Sequence, residues 1–301
     1  MEPKLKIDVL VPRDKVNYDT STMSLWRMIN YTQEKIGASF NVPPLARSAL
    51  VHEARNRAVN MVRDDADYVL MVDDDMAVQY PETLVDMLEA MDTHGFDVVT
   101  PLTCKRSFPI LLATSKLTDY NGTLRSTPVS ITEIMAAENE GKDIAPITPV
   151  LGGGAFLLMR ARALTAAMRA HLDAKDWVLV HDEQFTRMGI GRGVVEQERR
   201  YISNQRWQDY NLNKHHTLFN FPYNGDCTYL NGEDWQFTLF LYQLGFPTAL
   251  LPSIMVEHMG EFPFSPRMFG ITHWKDLVVP GLKEQAAKEV VDNIVEEEAV
   301  K

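Results

Sequence analysis

A run of apolar residues, Tyr68–Val72, leads directly into three consecutive carboxylates, Asp73, Asp74 and Asp75. The run contains no polar side chain and is rich in valine, a pattern typical of a strand buried on both faces of a sheet. Such strands belong to parallel sheets covered by helices, and ligands bind just outside their carboxyl ends. The pattern therefore predicts a functional site at these three acids, called here the acidic triplet.

The pattern before the triplet predicts a β-α-β-α-β unit. The predicted elements are a strand over Lys6–Val11 ending at Pro12, a helix from about Asp19 to Glu34, a short strand over Ala38–Val42, and a helix from Pro43 to about Asp65. The last of these has apolar residues at three- and four-residue steps. This order is half of a doubly wound α/β fold with right-handed crossovers.

The pattern after the triplet predicts further alternation of helices and strands. The elements are a helix from Pro81, strands over Phe96–Thr100 and Pro109–Thr114, a hairpin turn over Tyr120–Thr123, a polar helix or exposed excursion over Ser130–Asp143, a helix over Arg162–His171, a helix from Glu233 to Gly245, a strand over Pro247–Val256, and an amphipathic helix over 281–298. We expect an α/β fold with a mixed, mostly parallel central sheet flanked by helices, and a C-terminal helical tail.

Composition narrows the class of protein. The chain has 301 residues and a net charge of −11, and an acidic surface is unsuited to tight, sequence-blind binding of nucleic acid. Cys104 and Cys227 show no metal-binding spacing, which argues against a disulfide framework and favours a reducing compartment. The sequence shows neither a signal-peptide pattern nor an apolar run of ~20 residues, so we expect a cytoplasmic protein.

The acidic triplet has a specific electrostatic requirement. Three adjacent like charges repel one another, and their desolvation is costly unless a cation is near. Hard carboxylate oxygens suit Mg²⁺, Mn²⁺ or Ca²⁺. The alternative is a solvated acidic turn that only ends the strand, and the triplet alone leaves both interpretations open.

Two residues of the preceding helix, Arg55 and Asn56, could point to the same sheet edge, where an arginine would balance a diphosphate. Arg63 is interpreted as part of the wet face of that helix. The three glycines Gly152–Gly154 precede a predicted buried strand and allow close approach of a backbone, or form a simple bulge.

Two further candidates lie near the end of the pattern. Glu233 and Asp234 occupy the first turn of a helix, where the helix dipole favours carboxylates, so they are either an acidic pair at the helix start or chemical groups. His258 follows a predicted strand and is either a metal ligand or a packed core residue. The stretch 177–231, with interleaved basic and aromatic residues, is the natural place for acceptor contacts or an irregular subdomain.

Together, these residues resemble GT-A glycosyltransferases of the large family-2-like group. The resemblance covers most of residues 6–260 and consists of the N-terminal half, Arg55 and Asn56, the triplet as a DxD motif, Gly152–Phe156, Gly232–Asp234 and Val256–His258. It implies a GT-A (Rossmann-like) fold with a single catalytic domain over 1–262, divided into a nucleotide-sugar-binding half, 1–103, and an acceptor half, 104–262. A C-terminal tail and helix, 263–301, would follow.

The resemblance also implies roles for the residues. Asp75 and His258 would hold the metal, with Asp73 as a further ligand or facing the nucleoside and Asp74 able to take either role; a histidine ligand favours Mn²⁺ over Mg²⁺. Other contacts with the nucleotide sugar would come from Val11, Pro12, Arg55, Asn56 and Gly153. Gly154 and Trp235 would contact the acceptor.

The activity implied is transfer of a sugar from a nucleoside-diphosphate sugar to an acceptor hydroxyl. A metal would stabilise the departing diphosphate, and Asp234, with Glu233 as its neighbour, would take the hydroxyl proton in an inverting reaction. Some retaining relatives keep an acid here for acceptor binding. The acceptor would be a saccharide, a protein or a small molecule; a hydroxymethylated phage DNA base is a minority option, opposed by the net charge. A homo-oligomer through the C-terminal helix is another option.

Two other functions compete with this one. A sugar nucleotidyltransferase shares the nucleotide-binding half but usually carries a glycine- and arginine-rich loop after the first strand. That place here, Pro12–Val16, contains no glycine. The other competitor is a non-catalytic module that only binds a divalent metal.

Overall fold

The computed structural model describes residues 5–13, 19–43, 46–47, 51–106, 111–120, 123–139, 144–173, 218–219 and 232–259. The predicted C-terminal helix over 281–298 and almost all of 177–231 lie outside these ranges, as does the division of the tail at residue 263. None of the helices in the described ranges is both long and apolar enough to cross a bilayer.

The described residues form strands and helices that alternate for most of the chain. The strands are β1 (Leu5–Leu10), β2 (Pro12–Arg13), β3 (Ala38–Asn41), β4 (Ala46–Arg47), β5 (Tyr68–Val72), β6 (Met76–Ala77), β7 (Val98–Leu102), β8 (Thr114–Tyr120), β9 (Thr123–Pro128), β10 (Ile147–Gly152), β11 (Phe156–Arg160), β12 (Thr248–Met255) and β13 (Glu257–His258). The helices are α1 (Asp19–Ile36), α2 (Val51–Val59), α3 (Thr83–His94), α4 (Ile131–Asn139), α5 (Ala161–Asp173) and α6 (Glu233–Gln243).

A nine-stranded sheet in the order β3-β1-β5-β11-β7-β12-β10-β8-β9 forms the centre of the fold. Strand β1 is parallel to β3 and β5, and β7 is parallel to β12, whereas β11 lies antiparallel between β5 and β7. Six strands therefore run in one direction, and β11, β10 and β9 run in the other. This confirms the expected mixed, mostly parallel central sheet flanked by helices.

Strand β5 is buried on both faces, as its uninterrupted apolar sequence predicts. Tyr68, Leu70 and Val72 belong to a core cluster that includes residues of α1 and α3. Val69 and Met71 point to the opposite face, into a cluster that includes residues of α2, α5 and α6. Helices cover both sides of the strand, so the polar residues that follow it lie at the edge of the sheet.

That edge collects the carboxyl ends of β1, β5, β7 and β12, since these four strands share one direction. The acidic triplet follows β5, and Glu257 and His258 follow β12 after one residue. The short strands β6 and β13 then pair antiparallel, which sets His258 opposite Met76. This pairing brings the histidine next to the acids.

Several local expectations need correction, and one is confirmed. The second helix is shorter than predicted, because it covers only Val51–Val59 and residues 60–65 form turns; Ala46 and Arg47 pair instead with β2. The segment 111–113 is not a strand, since β8 begins at Thr114. The hairpin over Tyr120–Thr123 is confirmed by the pairing of its two end residues.

The interpretation of Arg63 as a wet-face residue is wrong. Its Nε donates to Asp8 Oδ1 at 2.7 Å, and its backbone N–H donates to Asp8 Oδ2 at 2.7 Å. Asp8 is fully buried within β1, and a buried carboxylate needs a charged or hydrogen-bonding partner. Arg63 therefore stabilises the sheet.

Candidate active site

His258 and Asp75 form the first contact of the site. The Nε2 atom of His258 lies 3.3 Å from Asp75 Oδ2, and the backbone N–H of Met259 donates to the Asp75 carbonyl at 2.7 Å. The two side chains are 18% and 12% exposed, so they lie near the surface without facing open water. The antiparallel pairing of β6 with β13 holds this arrangement.

The other ring nitrogen of His258 decides how the imidazole is oriented. His258 Nδ1 lies 3.1 Å from the carbonyl oxygen of Cys104, which can only accept, so Nδ1 carries the proton. The other nitrogen, Nε2, is the one that faces the Asp75 carboxylate. A backbone hydrogen bond that fixes one ring nitrogen and leaves the other directed at a candidate site is typical of metal-binding histidines.

Asp75 is also in contact with an arginine that follows β7. Arg106 Nη1 lies 3.0 Å from Asp75 Oδ2. Burial alone would raise the pKa of Asp75, but the hydrogen bond and charge of His258, together with the charge of Arg106, hold it below its ordinary value. Asp75 is therefore ionised at neutral pH, the state in which a carboxylate can bind a cation.

Arg55 joins the acidic triplet to the start of helix α6. Its Nη2 donates to Asp73 Oδ2 at 2.6 Å, and its Nη1 donates to Glu233 Oε1. The Arg55 side chain is only 4% exposed. The carboxylates of Asp73 and Glu233, which are 160 positions apart, thus share one buried guanidinium group.

Burial and charge act against each other in this group of three. Burial lowers the pKa of Arg55, but Asp73, Glu233 and Asp234 together raise it above its ordinary value. Burial raises the pKa values of Asp73 and Glu233, while the charge of Arg55 opposes that rise. Arg55 is therefore the charge that makes two buried carboxylates tolerable at this edge.

Asn56 holds Phe219 in position against the Arg55 guanidinium. The amide of Asn56 donates to the Phe219 carbonyl and accepts from the Phe219 N–H, both at 2.8 Å. The Phe219 ring is fully buried, lies 4.4 Å from the ring of Phe237 in α6, and faces the Arg55 guanidinium at 5.8 Å. Asn56 thus fixes the aromatic surface on which Arg55 rests.

The glycines Gly152–Gly154 allow helix α6 to approach the end of β10 and the turn that follows it. A Cβ atom on Gly154 would lie 2.4 Å from Asp234 Cβ, and one on Gly152 would lie 2.8 Å from the indole nitrogen of Trp235. The N–H of Gly154 donates to Asp234 Oδ2 at 3.3 Å, and the N–H of Gly152 donates to the Thr238 hydroxyl at 3.0 Å. Any side chain at Gly154 would force Asp234 aside.

The same segment fixes the triplet. The Asp73 N–H donates to the Ala155 carbonyl at 2.8 Å, and Phe156 pairs with Val72 at the end of β5. Gly153, with φ of 77°, packs against the Thr100 side chain of β7, whose hydroxyl donates to the Phe156 carbonyl at 3.0 Å. The glycine segment and the acidic triplet are therefore hydrogen-bonded neighbours at the edge of the sheet.

The residues fit a divalent cation when the unused oxygens are considered. Asp73 Oδ1 and Asp75 Oδ1 are buried and accept no hydrogen bond from the described part of the chain. Carboxylate oxygens left in this state favour a hard cation. Within the described ranges, no three acidic, histidine or cysteine side chains come together as a metal site.

The remaining predicted residues lie at the same edge or next to it. Val11 is partly buried against the core after β1, and Pro12 is buried in β2. Asp74 lies within the turn between β5 and β6, and Trp235 lies in the first turn of α6. The structure thus brings the triplet, His258, Arg55, Glu233, Asp234 and the glycines into one region.

Sequence reasoning missed Arg106 and Phe219. Arg106 follows the carboxyl end of β7, which is the same sheet position that draws attention to the triplet, so its place in the chain was a usable indication. Phe219 lies in the poorly patterned stretch 177–231, where no periodicity distinguishes one aromatic residue from another.

Comparisons with known proteins give structural likenesses at low identity. The chain matches no protein-family model, and no curated protein sequence matches it. Among solved structures, A197 from STIV is 14% identical with a TM-score of 0.39, and the match covers 87% of this chain and 90% of that one. TarS 1-349 from S. aureus is 17% identical with a TM-score of 0.29, covering 54% and 48%.

A third match is glucosyl-3-phosphoglycerate synthase from Mycobacterium tuberculosis, crystallised with Mn²⁺, uridine diphosphate and phosphoglyceric acid. It is 15% identical with a TM-score of 0.30, and the match covers 54% of this chain and 58% of that one. The match thus covers about half the length of the TarS fragment and somewhat more of the synthase.

Proposed function

We propose that this chain is a metal-dependent glycosyltransferase that moves a sugar from a nucleoside-diphosphate sugar to an acceptor hydroxyl. The observation that carries the proposal is the contact between Asp75 and His258, whose ring is oriented by the Cys104 carbonyl with Nε2 toward the carboxylate. This pair lies at the carboxyl ends of parallel strands, where nucleotides bind in open α/β sheets. The motifs that resemble GT-A enzymes meet in the same place.

The metal half of the site consists of Asp75 and His258. A divalent cation held by these residues would supply positive charge to the departing diphosphate, with Mn²⁺ favoured over Mg²⁺ by the imidazole. Asp73 presents one buried oxygen that has no hydrogen-bond partner among the described residues, which suits acceptance of a hydrogen bond from a ribose hydroxyl. Asp73 is therefore assigned to the nucleoside, with its second oxygen fixed by Arg55.

The choice of base follows from the environments of the two acids in α6. Glu233 is 7% exposed and bound to the Arg55 guanidinium, so it is committed to an ion pair. Within the described ranges, Asp234 is half-buried and accepts hydrogen bonds from the N–H groups of Gly154 and Trp235. We assign Asp234 as the base that takes the proton of the acceptor hydroxyl, in an inverting reaction.

Arg55 and Asn56 receive roles different from the phosphate contact that the resemblance implies. Both guanidinium nitrogens that meet carboxylates are buried, and both polar atoms of the Asn56 amide bind Phe219. We propose that they are positioning residues: Arg55 fixes Asp73 relative to helix α6, and Asn56 fixes the surface below Arg55.

The experiment measures release of nucleoside diphosphate from UDP-, GDP-, ADP- and CDP-linked sugars with Mn²⁺, with and without EDTA. Wild-type protein should release the diphosphate from one donor class in a Mn²⁺-dependent manner. Asp234→Asn should bind that donor as wild type does and lose release by about 100-fold or more. The exposed residue Asp64 provides the matched control, because Asp64→Asn makes the same change away from the site.

Three results would count against the proposal. Release of pyrophosphate from nucleoside triphosphate and sugar phosphate would indicate a nucleotidyltransferase. Binding of Mn²⁺ without binding of any nucleotide would indicate a metal-binding module. Asp234→Asn protein that fails to fold would leave Asp234 as a residue of the helix start and little more.

A further inference from the structure

Arg106 lies over the oxygen of Asp75 that faces His258. Its Nη1 is 3.0 Å from Asp75 Oδ2, and His258 Nε2 is 3.3 Å from the same oxygen. The Arg106 side chain is 44% exposed, whereas Asp75 is 12% exposed. The guanidinium therefore covers a less accessible carboxylate from the solvent side.

The segment that carries Arg106 contacts both candidate ligands. The Cys104 carbonyl lies 3.1 Å from His258 Nδ1, and two residues later the Arg106 side chain contacts Asp75. Arg106 also donates to the Met259 carbonyl at 3.4 Å, a long and weak hydrogen bond. Among the described residues, Arg106 is thus attached to the site by one half-exposed ion pair and one weak contact, and it can be displaced at little cost.

A divalent cation and the Arg106 guanidinium would compete for Asp75. Arg106 contacts Oδ2 of this carboxylate and the cation would bind the same group, and two positive charges a few ångströms apart repel each other unless an anion lies between them. A diphosphate is such an anion, and a guanidinium fork binds phosphate oxygens with two parallel hydrogen bonds. The same arginine therefore opposes a bare cation and favours a cation accompanied by diphosphate.

We propose that Arg106 makes cation binding at Asp75 and His258 depend on the nucleoside diphosphate. Without the diphosphate, Arg106 neutralises Asp75 and weakens binding of the cation. With the diphosphate present, Arg106 turns from Asp75 to the phosphate oxygens and adds to the binding of the nucleotide. This inference rests on the proposed function, since it takes the diphosphate as the natural anion of the site.

The test compares wild-type protein with Arg106→Gln by two titrations. The first follows free Mn²⁺ by electron paramagnetic resonance in the absence of nucleotide. The second follows binding of the tightest ligand among UDP, GDP, ADP and CDP by calorimetry at saturating Mn²⁺. Arg106→Gln should bind Mn²⁺ alone about two- to fivefold more tightly, and should bind the nucleoside diphosphate about two- to fivefold more weakly.

Two variants make the result specific. Lys105→Gln removes the same charge from the neighbouring position, which is also exposed, and it should titrate as wild type does in both experiments. Arg106→Lys keeps the charge and loses the planar fork. It should therefore resemble wild type more closely in its weak binding of Mn²⁺ alone than in its binding of the nucleoside diphosphate. Thermal melting of each variant checks that it is folded, as expected for surface substitutions.

The outcomes separate this inference from the proposed function. If wild-type protein binds Mn²⁺ and a nucleoside diphosphate while Arg106→Gln gives the same two affinities, the inference fails and the proposed function stands. If Arg106→Gln weakens binding of Mn²⁺ alone, the inference also fails, because Arg106 would then support the cation directly. If wild-type protein shows no Mn²⁺-dependent nucleotide binding, the proposed function and the inference fail together.

Discussion

Asn56 and Phe219 lie 163 positions apart in sequence and exchange two hydrogen bonds, each 2.8 Å long. The side-chain amide of Asn56 supplies the hydrogen bonds that the backbone N–H and C=O of Phe219 would otherwise need from a neighbouring strand. The buried ring of Phe219 then packs against Phe237 and below Arg55. One residue of α2 thereby fixes a distant part of the chain at the site.

Asn56→Ala should leave the Phe219 N–H and carbonyl buried without their partner. We expect a loss of about 1–3 kcal/mol in the free energy of unfolding, and faster hydrogen exchange at the Phe219 amide. Asn56→Asp keeps the acceptor for that amide and removes only the donor, so it should protect the amide better than alanine does. An unchanged exchange rate in Asn56→Ala would contradict the assigned role.

Arg55→Ala should be severely destabilising, since it leaves Asp73 and Glu233 buried without their shared cation. The expected loss in urea denaturation is about 3–5 kcal/mol. Arg57 lies two residues away in the same helix with a side chain 57% exposed, and Arg57→Ala should cost under about 0.5 kcal/mol. Combining Arg55→Met with Glu233→Gln should recover part of the loss, because it removes one of the unpaired charges. Near-equal effects of the two alanine variants would rule out the bridging role.

Gly154→Ala should displace Asp234, since the new Cβ would lie 2.4 Å from Asp234 Cβ. We expect transfer to fall by about tenfold or more, while affinity for the nucleoside diphosphate changes little. Gly37→Ala is the control: its Cβ meets nothing within 4 Å, but its φ of 71° disfavours alanine. That variant should lose about 1 kcal/mol of stability and keep its turnover. Wild-type turnover in Gly154→Ala would separate Asp234 from the chemistry.

Asp75→Ala should remove the Mn²⁺ dependence of nucleotide binding. Calorimetry with and without Mn²⁺ should show a loss on the order of 100-fold in the Mn²⁺-dependent part of the affinity. His258→Gln should give a smaller loss, because the carboxylate remains. Asp64→Asn again serves as the exposed control. Persistence of full Mn²⁺ dependence in Asp75→Ala would place the cation elsewhere.

The Cys104 thiol should be unreactive in the native protein. It is fully buried, and burial raises its pKa to about 12, so on the order of one thiol in ten thousand is ionised at pH 8. Raising the pH should therefore increase labelling only well above neutrality. Mass spectrometry of the peptide containing Cys104 should show negligible iodoacetamide labelling at pH 8, and complete labelling in urea. Rapid labelling without urea would mean that the strand end near His258 opens readily.

The central strands could be predicted because burial on both faces leaves a clear mark in sequence. The apolar run Tyr68–Val72 can only be satisfied inside a covered sheet, and the acids that follow must then lie at its edge. The antiparallel direction of β11 could not be predicted in the same way. A fully buried strand such as Phe156–Arg160 shows the same apolar pattern whichever way it runs.

The contacts between side chains were harder to predict from the sequence than the helices and strands that carry them. The ion pair of Arg63 with Asp8 depends on α2 ending at Val59, and the apolar spacing continues past that point to Val62. The convergence of Arg55 with Glu233 depends on how α6 docks, which no local pattern records. The site residues that could be predicted lie at the ends of strands and helices, because the fold determines where those ends lie.

The pairing of β6 with β13 has a consequence for biosynthesis. Asp75 and His258 are 183 positions apart, so a ribosome adding about 5–20 residues per second exposes the carboxylate roughly 10–40 s before the imidazole. At the proposed metal site, a truncated polypeptide that stops short of the histidine would have the acids alone and would bind Mn²⁺ less tightly. Tight binding of the ion would then distinguish finished molecules from incomplete ones.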